Sequence, residues 1–197
     1  MSRAAFTRET ADIRRQALID ATAASLAEKG VAGTTVRAIC TRAGVSPGLL
    51  RHYFDGIDAL IAETYRAVTF AVRETLAAAV AAADGPRDRV IAYIAANFRP
   101  PVADAETLAT WVAFWGLMKS DATIAAIHTE TYGSYRAELE TLLAECGLQP
   151  ARCRTAAIAL TALIDGLWLE RTLDPSTFTS EEAEAMAIRW LDALLAP

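Results

Sequence analysis

The sequence predicts an all-α protein of about nine helices, a short N-terminal head of three followed by a larger helical body. Three observations carry that expectation. Alanine, the strongest helix former and a poor strand former, occurs 43 times among 197 residues. Apolar residues recur at helical spacing in one segment after another. Short Gly and Pro breakers cut the chain into pieces of helix length, yet ten Gly and seven Pro are too few for a linker or a disordered chain. With 53 % apolar and 22 % charged residues a packed core is within reach, and the length suits one domain or two small ones.

Residues 10–29 place Ile13, Ala17, Ala21 and Ala24 on one helical face, and Gly30 ends that helix. A short second helix follows Thr34 and Thr35 and stops at Gly44, and a third starts at Ser46-Pro47. A fourth begins after Asp55 and runs toward Ala83 on the stripe Ile57, Leu60, Ile61, Thr64, Val68, Ala71 and Val72, tying head to body. Pro86 opens a fifth at the first helical position, where its missing N–H is no loss, and Pro100-Pro101 closes it. Asp104 can cap a sixth helix through Trp115, and Asp121 a seventh that ends before Gly147. Pro150 opens an eighth through Leu173, and Thr179 with Glu182 forms a capping-box start for the ninth. The seam near Asp55 divides the chain into domains 1–54 and 55–197.

Composition narrows the function classes. Cys40, Cys146 and Cys153 are odd in number, widely spaced and without a CxxC, so neither a disulfide framework nor a zinc set is expected, and the thiols read as reduced, as in a cytosol. The N-terminus lacks an apolar stretch of signal-peptide length. The longest apolar run, Ala77 to Ala83, is far below the ~18 residues that span a bilayer, so no membrane partner is expected. His52 and His128 are the only histidines, and no HExxH, GxSxG, Walker or Rossmann pattern occurs. Glu181-Glu182 reads as charge at a helix start, not as an acid/base pair. No catalysis, cofactor or metal is expected.

The net charge of −5 is unevenly spread. Residues 1–54 hold eight Arg and Lys against four Asp and Glu, whereas the rest holds eleven against twenty. A basic head on an acidic body suggests that the head meets a polyanion. Two short helices there flank Gly44-Val45, where Gly44 can take the left-handed cap, Ser46 can cap the next helix, and Pro47 fits its first turn. Ile39, Ala43, Val45 and Leu50 can form a small core, with Cys40 where close packing needs a small side chain. So short a turn sets the helices at a steep angle, and the second can enter a DNA major groove. Pro47, Gly48, Leu49, Arg51, His52 and Tyr53 are then its exposed positions, while Thr35 and Arg37, and the cap Ser46, sit where helix N-termini meet backbone phosphates. An ordinary helical hairpin with solvated arginines is the plainer reading of the same residues.

The stretch RAGVSPGLLRHYF, residues 42–54, resembles the DNA-binding signature of the TetR family of bacterial repressors. IRRQALIDAT, Asn97-Phe98, WVAFWGLMKS and ALIDGLWLERTL are similar to the choline-responsive BetI branch of that family, so the likeness runs from about Ile13 to Leu173. The resemblance implies a homodimeric, cytoplasmic repressor of bacterial double-stranded DNA, with three head helices, six or more body helices and an effector pocket in the body. Two positions depart from the family pattern. The phosphate-binding Lys that many members carry near the start of helix four is Ile57 here, which removes one backbone contact. A position often held by Tyr is Arg51, so base preference does not carry over.

The body concentrates aromatic residues. Trp111 and Trp115 are i, i+4 neighbours with Phe114 beside them, Tyr132 and Tyr135 are i, i+3 neighbours with His128 a turn earlier, and Asp165 and Trp168 share a nearly wholly apolar helix. An ionised Asp there is costly unless a cation meets it. Aromatic faces with one carboxylate suit a quaternary ammonium, each ring attracting it by about 0.5–2 kcal/mol. A plain aromatic core, with Asp165 paired to an Arg or to an indole, accounts for the same residues. With the family likeness, Trp111, Phe114, Trp115, Tyr132, Asp165 and Trp168 become the candidate site for choline or a relative.

Helices eight and nine are expected to carry a homodimer. Ala156, Ala157, Ala159, Ala162 and Gly166 permit close approach, and the family likeness places a four-helix interface there. Two heads about one DNA turn (~34 Å) or a modest multiple apart imply a palindromic operator, and an effector that favours another spacing releases it. Two alternatives remain: a regulator of this family answering to another hydrophobic or cationic ligand, and a helical module whose head docks an acidic protein groove. Binding to palindromic DNA separates the last from the others.

Overall fold

The computed structural model describes residues 3–196, and of residues 3–10 the backbone alone. All of its regular elements are α-helices: α1 (Arg3–Gly33), α2 (Val36–Ala43), α3 (Pro47–Tyr53), α4 (Gly56–Ala81), α5 (Pro86–Asn97), α6 (Ala105–Leu117), α7 (Ala122–Glu145), α8 (Pro150–Leu173) and α9 (Ser180–Leu195). The all-α expectation is met.

Most boundaries follow from local chemistry. Gly30 breaks α1 with φ 62°, and a last helical piece continues to Gly33 because Thr34 donates its hydroxyl back to the Gly30 carbonyl at 2.8 Å. Asp121 starts α7 by accepting the N–H groups of Thr123 and Ile124 at 2.8 and 3.1 Å. Thr179 and Glu182 close a reciprocal capping box at the start of α9. α5 ends at Asn97, short of the prolines that were expected to stop it, and α6 continues past Trp115 to Leu117.

The chain divides into two compact units. One reaches Thr69 and takes in Ala109–Ile127; the other is Phe70–Leu108 with the chain from His128 onward. α4, α6 and α7 therefore each contribute to both. The core of the first unit joins Leu18, Ile19 and Ala21 of α1, Ile39 and Cys40 of α2, Leu50 of α3, and Phe54 and Leu60, with Val45, Tyr53 and Ile57 packed at its edge. In the second unit Val90 and Ile94 of α5, Leu139 and Leu143 of α7, Leu160 and Ile164 of α8, and Ala183, Ala187 and Leu191 of α9 are buried. Arg87 to Asp192 and Arg99 to Glu184 add surface ion pairs between α5 or its C-terminal end and α9.

Of the five small residues on α8 expected to admit a partner, Ala156 and Ala157 are buried within the chain, whereas Ala159, Ala162 and Gly166 are exposed. No helix among the described residues is long and apolar enough to cross a membrane, and they hold no His, Cys, Asp and Glu grouping fit for a metal.

Candidate DNA interface and effector site

The α2–α3 pair is built from its caps. Thr35 accepts the Ala38 N–H at 3.2 Å and starts α2. Gly44 ends it at φ 64° and ψ 32°, a left-handed conformation that a side chain resists, with its N–H turned back on the Cys40 and Thr41 carbonyls. Ser46 accepts the Leu49 N–H at 3.2 Å to start α3, with Pro47 in its first turn. Both capping hydroxyls accept here, so each keeps its proton to donate outward. Leu50 is fully buried and anchors α3 on the core. Burial pushes the Cys40 thiol up, so it stays protonated and serves as a small packing group.

Thr35, Arg37, Ser46, Pro47, Gly48, Arg51 and His52 are exposed, while Leu49 and Tyr53 are half-buried. Tyr53 packs on the core and meets the His52 ring edge-on at 5.1 Å. The head arginines differ in commitment. Arg42 pairs with Glu28, and Arg15 pairs with Glu63 at 2.6 Å while covering the Phe54 ring. Arg37 and Arg51 have no ion-pair partner among the described residues. Arg37 and Arg51 are thus available on α2 and α3, as are the exposed Arg14 and Lys29 on α1.

The six residues expected at the effector site form two groups, one in each compact unit. In the first unit Trp111 and Phe114 of α6 meet Tyr65 of α4, with ring centroids 5.5 and 4.6 Å from the tyrosine, and all three are buried. Trp115 lies half-buried, 6.5 Å from Trp111. Next along α6, Thr110 donates its hydroxyl to the Ala23 carbonyl of α1 at 3.3 Å, which fastens this aromatic group to the helix that bears the head.

In the second unit Tyr132 of α7 donates its hydroxyl to Asp165 of α8 at 3.2 Å. No Arg or Lys forms an ion pair with Asp165 among the described residues. Burial pushes its carboxyl up to about 7, against the opposing pull of the Tyr132 hydrogen bond and the charge of Arg136. Two tyrosines unforeseen for the site share this neighbourhood. Tyr93 of α5 and Tyr135 of α7 are buried, and their phenols are pushed well above the usual range, first by burial and further by the charges of Glu138 and Asp165. His128 stacks near Tyr132 at 4.0 Å and is held below its usual pKa by burial and by Arg136, which favours its neutral form. Trp168 donates its indole N–H to the Asn97 carbonyl at 2.9 Å, and Asn97 donates to Tyr93, which locks the indole in place.

The sequence carried a signal for Tyr135 in its spacing from Tyr132, but none for Tyr93, which reaches the group only through the fold. A separate cleft of about 370 Å³ opens between the end of α5 and α9, lined by Phe98, Arg99, Glu181, Glu184 and Ile188 among others. None of the six expected residues lines it.

Residues 18–64 match the family described as bacterial regulatory proteins, tetR family, and residues 86–196 match the BetI-type transcriptional repressor, C-terminal family. The HTH-type transcriptional regulator BetI of Burkholderia thailandensis is 40 % identical over 193 residues, covering 94 % of this chain and 95 % of that protein. A crystal structure of a transcriptional regulator from Pseudomonas aeruginosa PAO1 superposes with a TM-score of 0.85 at 42 % identity, covering 93 % of this chain and 91 % of the other. A transcriptional regulator from Saccharomonospora viridis, crystallised in complex with choline, shares the fold with a TM-score of 0.81 at 14 % identity, covering 90 % of this chain and 95 % of the other.

Proposed function

The chain belongs to the TetR family of bacterial regulatory proteins, in its BetI-type branch, and from that premise we propose a cytoplasmic repressor that holds a palindromic operator as a homodimer and releases it when a small quaternary ammonium, choline or a close relative, occupies the body. Membership places the chain among transcriptional regulators, not enzymes. The division of labour falls near Asp55, with residues 1–54 on DNA and 55–197 for effector and dimer.

Two exposed arginines without an ion-pair partner, on α2 and α3, support the DNA reading. Arg51 and His52 face base edges, with Pro47, Gly48 and Leu49 near the groove floor, while Arg37, Thr35, Ser46 and Tyr53 hold phosphates. Ile57 leaves the start of α4 without a cationic phosphate contact.

The observation that carries the effector reading is Asp165, a half-buried carboxylate held by a tyrosine hydroxyl and in no ion pair among the described residues. A quaternary ammonium supplies the missing charge, asks for no hydrogen-bond acceptor, and gains about 0.5–2 kcal/mol from each ring face it meets. Tyr132 and Trp168 join Asp165 in that role. Trp111, Phe114 and Trp115 stay candidates as a separate aromatic group of the first unit, where the Thr110 bond to Ala23 links α6 to α1. Effector that prefers one arrangement of α6 then shifts the population of head positions.

Selection from a random duplex library, followed by choline titration, tests both halves. The expected result is an inverted repeat whose complex dissociates on choline, with saturable change in the fluorescence of the four tryptophans of the free protein and none with ethanolamine. An inverted repeat without any choline response keeps the regulator and removes the effector. No selected DNA at all favours the protein-docking alternative.

A further inference from the structure

Asp165 sits among groups that do not neutralise it. Tyr132 of α7 donates to it, and the buried phenols of Tyr93 on α5 and Tyr135 on α7 feel its charge. The charged groups around this cluster are Arg136 and Glu138 of α7 and Arg73 of α4, and neither arginine comes within ion-pair distance of Asp165. On α8 itself residues 161–169 hold no other titratable side chain, and no group of α9 acts on the carboxyl. His128 beside Tyr132 is held below its usual pKa by burial and by the charge of Arg136.

Asp165 is half-buried on α8 among three buried tyrosines and forms no ion pair among the described residues, and a carboxylate so far withdrawn from water without a counter-charge favours its protonated form. An onium ion brings the counter-charge and has no proton of its own to give. We propose that the site exchanges a proton for its effector: the empty protein holds Asp165 as the neutral acid, and each quaternary ammonium that binds displaces one proton from that carboxyl to solvent, leaving a carboxylate paired with the cation. This inference rests on the choline reading of the site. It makes effector release of the operator weaker in acid, because protons and choline compete for one carboxylate. Burial sets the change near pH 7, where the carboxyl titrates.

Calorimetric titration of choline into the full chain, at pH 6 and pH 8 and in two buffers of different ionisation enthalpy, counts the protons. The expectation is about nine-tenths of a proton released per choline at pH 6 and about one-tenth at pH 8, with the Kd about tenfold weaker at pH 6. Choline binding with no proton release and one Kd at both pH values overturns the exchange and leaves the choline reading intact. No binding at either pH removes the choline reading and the exchange with it.

Asp165→Asn is expected to bind choline weakly and without pH dependence; proton release that persists in this variant assigns the proton elsewhere and overturns the proposal. Should that variant not fold, Tyr132→Phe keeps the ring but removes the hydrogen bond that favours the ionised carboxylate. Its binding midpoint is expected to move to higher pH, and an unmoved midpoint overturns the assignment to Asp165.

Discussion

At the scale of single residues, charge that is already spent separates from charge that is free. Arg42 is paired with Glu28 of α1 and Arg15 with Glu63 of α4, so Arg37 and Arg51 of α2 and α3 carry the test of the DNA interface. Arg37→Ala is expected to weaken binding alike across operator sequences and to lower the salt slope by about one phosphate, read by fluorescence anisotropy over a range of salt. Arg51→Ala is expected to cost about 1–3 kcal/mol and to relax preference at one base position, seen by repeating the selection with the variant. Asp165 bears on stability as well. Its carboxyl rises on folding from 3.8 to about 7, so between those values the folded chain binds more protons than the unfolded one. Stability therefore falls as pH rises through that window, by at most about 1.4 kcal/mol per pH unit, and levels above it. Denaturant unfolding of the wild type beside Asp165→Asn should show the wild type losing ground between pH 5 and pH 7 and no further beyond pH 8. The composition of this site was partly legible: Asp165 and Trp168 stand out in an apolar helix, and Tyr132 by its spacing from Tyr135. Tyr93 was not, because nothing in a helical period says which face of α5 meets α7.

At the scale of elements, the turn that aims α3 depends on one backbone conformation. Gly44 has φ 64° with open space where a Cβ would stand, so Gly44→Ala meets backbone strain without a steric clash. That strain is about 1 kcal/mol or more. The expected outcome is a modestly lowered Tm together with a larger loss of operator affinity, since the angle between α2 and α3 shifts before the fold fails. Thr179→Ala is a contrasting case. It breaks the capping box of α9 and costs about 1 kcal/mol of stability, with operator affinity per folded dimer unchanged. These caps were readable because they are local: Ser46, Pro47, Gly44, Asp121 and Thr179 act within four residues. The limits of α1, α5 and α6 were less so. α1 continues past Gly30 to Gly33, where Thr34 returns a hydrogen bond to the Gly30 carbonyl, while α5 stops before its prolines and α6 passes Trp115. The grouping of Trp111 and Phe114 with Tyr65, apart from Tyr132 and Asp165, likewise follows from where α4 and α6 run.

At the scale of the molecule, residues 1–54 are basic and residues 55–197 acidic, so on the proposed operator the field favours approach by the head, and affinity depends on the number of heads engaged. In the proposed homodimer that number is set by α8. Ile158, Ala159, Ala162, Gly166, Leu169 and Leu173 are exposed at steps of one to four residues and lie along one side of the helix, an apolar stripe with small side chains at its centre. In a homodimer this stripe meets its own two-fold copy, and close approach at Ala162 and Gly166 sets how far apart the heads stand. Ala162→Glu then puts a carboxylate into each of the two facing helices with no cation on the stripe to receive it. The chain should still fold, with an unchanged helical circular dichroism spectrum, because Ala162 is exposed within one protomer. Sedimentation equilibrium at micromolar concentration should show a monomer. Affinity for the full inverted repeat should fall by about a hundredfold or more, because the second head no longer binds at the high effective concentration that the first one gives it. Affinity for a single half-site should not change. A variant that remains dimeric places the interface elsewhere than on this stripe, and a monomer that still holds the inverted repeat at wild-type affinity shows that the two heads do not act as one unit.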